Sequence, residues 1–287
     1  MNNIAIAHET IKITGLGEYR IGEDIVQLPK ADYDSVTVIT PDSAKNLLEE
    51  PLTAEQRDTA CSIEVTTEHT FSAAQRIGNA LVLNFANAHH AGGGFMLGAN
   101  AQEECICRCS GLFFSLNTPK MWEEFYTPHR RAHNPIHNDD IIFTPDVTVF
   151  KTDTAEPKLM KESEWYNVDV ITCAAPNLRE RPSNGYNSGD GHKAVRITDK
   201  ELLALHEKRL RRILDVAVME KDETIILGAF GCGAFLNNPE IVAQAAKNVI
   251  KDYLYTFKNI EFAVYCSPRD EKNYRTFERV LLDNEIN

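Results

Sequence analysis

Positive charge is what this 287-residue chain has least of, with 30 Lys and Arg against 42 Asp and Glu and a net charge of −12. A general nucleic-acid or anionic-membrane binder needs a basic footprint, so both classes are disfavoured and no DNA partner is expected. An anionic small ligand stays open, because backbone N–H groups and a helix terminus can hold phosphate without net positive charge. Long apolar runs are missing too: none approaches the about 18 residues a membrane span requires. The opening MNNIAIAHETIKITGLGEYR shows no basic stretch followed by an apolar core, so no signal peptide is read. Seven cysteines, an odd number without a secretory signal, point to reduced thiols in the cytoplasm. Internal repeats, linkers and low-complexity tracts are absent as well.

What is present is an average globular mixture, 43% apolar and 25% charged, able to bury a core without staples. Four runs read as buried strands: ALVLNFA (80–86), VDVITCAAP (168–176), TIILGAF (224–230) and IEFAVYC (260–266). They are nearly continuous rather than alternating, as expected of parallel strands covered on both faces. SVTVIT (35–40) and CSIEVTT (61–67) read as outer strands, and residues 4–14 as a helix. Residues 197–221 repeat Leu202, Leu203, Leu210, Ile213, Leu214 and Val218 at helical spacing; residues 239–257 repeat Ile241, Ala245, Val249 and Tyr253. Asn238 is placed to cap the second of these, with Pro239 at its first position. Alternating strands and helices imply a layered α/β fold. The organisation expected is an N-terminal extension over 1–60, packed on a single unit over 61–287.

Two glycine-rich stretches follow strand ends. The first is GGGFMLGANAQEE (92–104), in which three glycines precede QEE by seven residues. Asn100 is a good N-cap, which would put Ala101, Gln102 and Glu103 in the first turn of a helix. Acidic residues there are favoured by the macrodipole by roughly 0.3–1 kcal/mol with no function required. The position argues for more, since open α/β sheets bind ligands beyond the carboxyl ends of their strands. Neighbouring helix residues point roughly 100° apart, so Glu103 and Glu104 are not expected to face one atom. One can hold a ligand hydroxyl while the other faces the bond that breaks.

The second stretch is GAFGCGAFLNNP (228–239). Its spacing is neither the dinucleotide fingerprint nor a P-loop, yet its N–H groups and the helix opening at Pro239 suit a pyrophosphate. Phe235 can stack on a ribose or base, or serve the core. Together the loops suggest a ligand with a diphosphate and a sugar.

GGG, seven residues, then QEE resembles the signature of poly(ADP-ribose) glycohydrolases of the bacterial type, which have a macrodomain-like fold. The similarity continues through CSGLFFSL (109–116), FTPDVTVFK (143–151), VITCAAPN (170–177), GAFGCGAFLNNP and FAVY (262–265), over roughly residues 60–270. The fold implied is three-layer α/β/α with a mixed, largely parallel sheet. The resemblance implies Glu104 as catalytic acid/base and Glu103 as a ligand to the adjoining ribose. Gly92, Gly93 and Gly94 would let the backbone close on ribose and phosphates, and Gln102 would be a further contact to substrate. Asn84 and Asn87 would contact the distal ribose, and Gly231, Cys232, Gly233, Ala234 and Phe235 would embrace the diphosphate. It also implies poly(ADP-ribose) or ADP-ribosylated proteins as substrate, ADP-ribose as product, a monomer, no cofactor and no metal. The role of SNGYNSGDGHK (183–193) is left open.

The chemistry suits the residues. Breaking a ribose–ribose O-glycosidic bond passes through an oxocarbenium-like state and requires a proton for the leaving oxygen and an activated water. One carboxyl can serve both steps in turn. A helix N-terminus favours an ionised carboxylate, whereas a neighbouring carboxylate and a bound diphosphate oppose it, so the substrate-bound site is expected to hold the proton. Rival readings are a non-catalytic ADP-ribose-binding macrodomain, which needs no carboxylate at Glu104, and a mono-ADP-ribosyl-protein hydrolase sharing the pocket. A Nudix-type pyrophosphatase lacks its REUxEE helix. A metal site built from His89, His90, Cys105, Cys107 and Cys109 is disfavoured, because Cys-x-Cys on a helix sends successive thiols about 200° apart.

Overall fold

The computed structural model describes residues 2–41, 57–267 and 269–282. Nine strands recur among the described residues: β1 (Glu18–Ile21), β2 (Asp24–Gln27), β3 (Thr37–Ile39), β4 (Ser62–Thr66), β5 (Leu81–Phe85), β6 (Ile141–Val149), β7 (Tyr166–Cys173), β8 (Thr224–Leu227) and β9 (Asn259–Ala263). The helices used below are α1 (Asn3–Leu16), α2 (Thr70–Ile77), α3 (Gln102–Cys109), α4 (Asp199–Met219), α5 (Pro239–Ile250) and α6 (Lys272–Leu282). Seven strands form one sheet in the order β3-β6-β7-β5-β8-β9-β4. The four apolar runs read as parallel strands are its four consecutive central members, β7, β5, β8 and β9. The two outer strands expected at 35–40 and 61–67 are its edges, β3 antiparallel and β4 parallel.

Burial on both faces explains why those runs do not alternate. Leu81, Leu83, Ile225, Leu227, Ile260 and Phe262 meet α4, α5 and α6 through Ile213, Val242 and Phe277. Val82, Val170 and Ile226 point the other way, onto Phe71 and Ala74 of α2 and Ile106 and Cys107 of α3. Each face therefore has its own core, and the chain is the three-layer α/β/α arrangement with a mixed, largely parallel sheet that was expected. Asn238 caps α5 with its side chain and Pro239 opens it, as its sequence requires.

Among the elements named, α6 has no counterpart in the reading of the sequence, and neither do three others. α2 is one, and the β1–β2 hairpin, antiparallel around a turn at Gly22, is another. β6 is the third: the register slips between Thr144 and Val147, with Asp146 at φ +56. Pro145-Asp146 lodges in this bulge, which lets a proline sit inside a paired strand. The first helix expected at 4–14 is α1; it sits against α3 through Thr10 Oγ1, which donates to the Arg108 carbonyl at 2.7 Å. Of the expected extension over 1–60, residues 42–56 lie outside those described.

Candidate active site

The parallel strands deliver their carboxyl ends to one edge of the sheet, and a cleft of about 590 Å³ opens there. The chain leaves β5 at Phe85, runs through the glycines and re-enters α3 beside the same strand. Gln102 fastens that return: its Oε1 accepts from Phe85 N–H at 2.9 Å, and its Nε2 donates to the Leu83 carbonyl at 2.8 Å. The amide expected to meet substrate is thus bound to the strand end on both sides, although Gln102 still lines the cleft.

The helix cap is one residue later than expected. Ala101 occupies the N-cap, and the Glu104 carboxylate accepts from its N–H at 2.8 Å. Asn100 is diverted because Arg108, in the last turn of α3, donates Nη2 to its Oδ1 at 2.5 Å and Nη1 to the Ala99 carbonyl at 2.6 Å. This places Glu103 and Glu104 at the second and third helical positions.

The two carboxylates also do something not expected of adjacent helix residues. Both reach over Gly93: a Cβ built there would lie 2.5 Å from Glu104 Oε1 and 2.9 Å from Glu103 Oε2. Their side chains leave the helix in different directions, yet the hairpin of glycines folds back beneath them and brings both tips to one place. Gly94 N–H donates to Glu104 Oε1 at 2.8 Å, and Asn87 N–H to Glu103 Oε2 at 2.8 Å. Glu103 is 2% exposed and Glu104 7%, so only a narrow face of each reaches the cleft. Burial first, and the charge of Glu104 second, push the Glu103 carboxyl well above the usual range.

Gly92, Gly93 and Gly94 themselves do not line the cleft. Their close neighbours are Phe113 for Gly92, the two carboxylates for Gly93, and Ala99 with Tyr186 for Gly94. At Gly93 the absence of a side chain serves the approach of the protein's own glutamates. Asn84 is likewise withdrawn: fully buried in β5, its Nδ2 lies 3.2 Å from Glu103 Oε1 and 3.1 Å from Thr172 Oγ1. It orients Glu103 and offers no surface to a ligand. Asn87 does line the cleft.

Across the cleft stands the second loop. Gly231, Gly233, Ala234 and Phe235 line it, whereas Cys232 packs toward the core. Gly231 has φ +79, and a Cβ there would come within 2.6 Å of Ala175 Cβ. Asn237 holds the loop's shape, donating to the carbonyls of Gly231 at 3.0 Å and Pro176 at 2.7 Å while His206 bonds its Oδ1 at 2.8 Å. The Cβ side of Gly233 faces open space.

The remaining walls were not legible as a site. Tyr186 and Asn187 of the loop 183–193 line the cleft, and the Tyr186 carbonyl accepts from Asn87 Nδ2 at 3.2 Å. At another wall His69 and Tyr265 stack with ring centroids 3.9 Å apart, above Asp153. Tyr265 ends the FAVY motif, and an aromatic left exposed directly after a buried strand was the available signal. Cys107 and Cys109 are buried, and burial holds both thiols well above the ordinary range. His89 turns away from these cysteines to join His137 and Asp190. A further cavity of about 680 Å³, lined by Asp169, Asp222 and Lys258 among others, lies at the opposite ends of the strands, remote from the paired glutamates.

Residues 7–152 match the family model described as microbial-type PARG, catalytic domain. A search of curated protein sequences gave no match. Among solved structures the chain is similar to the poly(ADP-ribose) glycohydrolase of Thermomonospora curvata, with 32% identity, a TM-score of 0.83, and coverage of 97% of this chain and 98% of that one. The same enzyme bound to the inhibitor ADP-HPD matches at 31% identity and a TM-score of 0.80, covering 96% and 98%. The Deinococcus radiodurans poly(ADP-ribose) glycohydrolase in complex with ADP-ribose matches at 31% identity and a TM-score of 0.72, covering 87% and 95%. With half the chain matched by the model and nearly all of it by structures above 30% identity, this chain belongs to the microbial-type poly(ADP-ribose) glycohydrolase family.

Proposed function

We propose that the protein hydrolyses ribose–ribose O-glycosidic bonds of poly(ADP-ribose), releasing ADP-ribose, with Glu104 as general acid/base. The observation that carries this reading is the pair of buried carboxylates meeting over Gly93 at the edge of a nucleotide-sized cleft. As the anomeric C–O bond breaks, its electron pair goes to the leaving ribose oxygen, which takes the proton of Glu104. Water then adds to the oxocarbenium-like carbon and returns a proton to Glu104. Burial first, and the neighbouring Glu104 second, push Glu103 toward its neutral form, and it faces the adjoining ribose.

Asn84 and Gln102 act behind this pair, the first on Glu103 and the second on the join between α3 and β5. The diphosphate lies against the loop Gly231–Phe235, where Gly233 offers open backbone and the α5 N-terminus a favourable field. Asn87 takes the distal ribose and Phe235 a ring face. Residues 1–60 act as an extension that steadies the unit over 61–287; in support, Asn3 of α1 donates to the Gly98 carbonyl at 3.2 Å, beside the cleft wall. The enzyme works as a cytoplasmic monomer without a cofactor. In support of that compartment, all seven cysteines are free.

The test is incubation with auto-poly(ADP-ribosyl)ated polymerase, followed by chromatography of the supernatant. Free ADP-ribose is the expected product. Intact polymer together with ADP-ribose released from singly modified protein would move the assignment to a mono-ADP-ribosyl hydrolase. Tight ADP-ribose binding with no release from either substrate would leave a binding module.

A further inference from the structure

Three side chains from distant segments converge behind the cleft wall. His89 comes from the loop after β5, His137 from the turn before β6, and Asp190 from the loop 183–193. All three side chains are shut from solvent, and their ligand atoms lie within 4.8 Å of one another. Both imidazoles aim Nε2 at the same carboxylate oxygen, Asp190 Oδ1, His137 at 2.7 Å and His89 closer still.

The protons of His137 can be counted. Its Nδ1 lies 2.7 Å from the Ala175 carbonyl oxygen, which only accepts, so Nδ1 carries a proton. In a neutral ring Nε2 then has a lone pair, and that lone pair faces a carboxylate that also only accepts. A cation, a proton or a metal ion, is needed to join the two. A divalent metal ion meets the same electron pairs and engages His89 in the same act.

At His137 and Asp190 the surroundings match a prepared ligand set, while His89 Nδ1 is buried without a partner. Metal-bound histidines ordinarily donate their other N–H to a carbonyl or carboxylate, and ligating carboxylates are themselves hydrogen-bonded. His137 does the first at Ala175. Asp190 Oδ2 receives the amides of Asn177 at 2.6 Å and Asn187 at 2.5 Å. Gly189 admits the ring of His89 so closely that any Cβ would overlap it.

We propose that His89, His137 and Asp190 bind a divalent transition-metal cation of the zinc class, for which two imidazoles and a carboxylate are suitable donors. Its task is positional. It pins the loop bearing Tyr186 and Asn187 to the loop bearing Asn87, whose N–H bonds Glu103. The ion takes no part in the glycosidic step, so the proposal stands apart from the assignment of that reaction.

The experiment uses the full-length protein, stripped with chelator, loaded with Zn²⁺ or Co²⁺ and desalted. Expected are about one tightly held ion per chain by mass spectrometry, visible absorption bands from the cobalt form, and a higher melting temperature on loading. His137→Gln and Asp190→Asn should lose ion, bands and melting shift together. His192→Gln, in the same loop but outside the ligand set, should keep all three. Wild-type protein that is folded by circular dichroism yet retains no zinc and shows no cobalt bands overturns the proposal, and leaves a proton as the bridging cation. Folded His137→Gln and Asp190→Asn proteins that bind metal as wild type does would overturn it equally. The wild-type measurements decide by themselves if those variants fail to fold.

Discussion

Gly93→Ala is the sharpest perturbation of the paired carboxylates, because a single methyl is directed at both. Gly93 has φ +58, and the new Cβ would lie 2.5 Å from Glu104 Oε1 and 2.9 Å from Glu103 Oε2. The left-handed backbone alone costs an alanine about 1–2 kcal/mol. At about 2–4 °C per kcal/mol for a chain of this size, the melting temperature should fall by about 2–8 °C. The carboxyl oxygens must also retreat toward ordinary contact distance, a shift approaching 1 Å at Glu104. Misplacing a catalytic group by about 1 Å can cost on the order of 100-fold in rate. The assay is initial-rate release of ADP-ribose from poly(ADP-ribosyl)ated protein, with calorimetric binding of ADP-ribose in parallel. A kcat lowered about 100-fold with ADP-ribose still bound is expected, since the diphosphate loop is remote from the methyl. An alanine variant with wild-type kcat and an unchanged melting temperature would refute the claim that both carboxylates close over this glycine.

Two further outcomes follow from groups outside the contact surface. Asn84→Ala removes a donor to Glu103 Oε1 and leaves Thr172 without that partner; kcat should fall about tenfold with KM little changed, and stability by about 1–3 kcal/mol. A raised KM with unchanged kcat would instead place Asn84 on the ligand. At the opposite ends of the strands, burial and the neighbouring Asp169 and Glu220 raise the Asp222 carboxyl from 3.8 to about 7. The folded state thus holds this proton more tightly than the unfolded one, so the contribution to stability is present below pH 3.8 and lost as pH rises toward 7. Asp222→Asn should therefore raise the melting temperature at pH 8, by about 2–4 °C for each kcal/mol recovered, and change it little at acid pH. Melts with the same difference at both ends of the range would contradict the shift.

The central sheet was legible because both faces of its middle strands are buried, which turns them into continuous apolar runs that need no partner to be recognised. β6 escaped because Pro145-Asp146 occupies a bulge, a device invisible without the neighbouring strand. QEE and the glycines marked the site, yet their division of labour depended on tertiary contacts. Asn100 has the chemistry of a cap, but Arg108 claims its oxygen and the cap falls to Ala101. Gly93, read in the sequence as part of a seat for the ligand, lies beneath Glu103 and Glu104. Loop 183–193 resembled any polar connection, since Asp190 acquires its meaning only beside His89 and His137, 101 and 53 residues away in the chain.

The most direct test of the account is Glu104→Gln, which keeps the shape of the side chain and removes its capacity to give and take a proton. ADP-ribose release from poly(ADP-ribose) should fall by about 10²–10⁴-fold, the contribution expected of a general acid/base, while calorimetric affinity for ADP-ribose stays close to wild type. A folded Glu104→Gln enzyme that releases ADP-ribose at the wild-type rate would contradict the account, and would move the proton transfer to another group in the cleft.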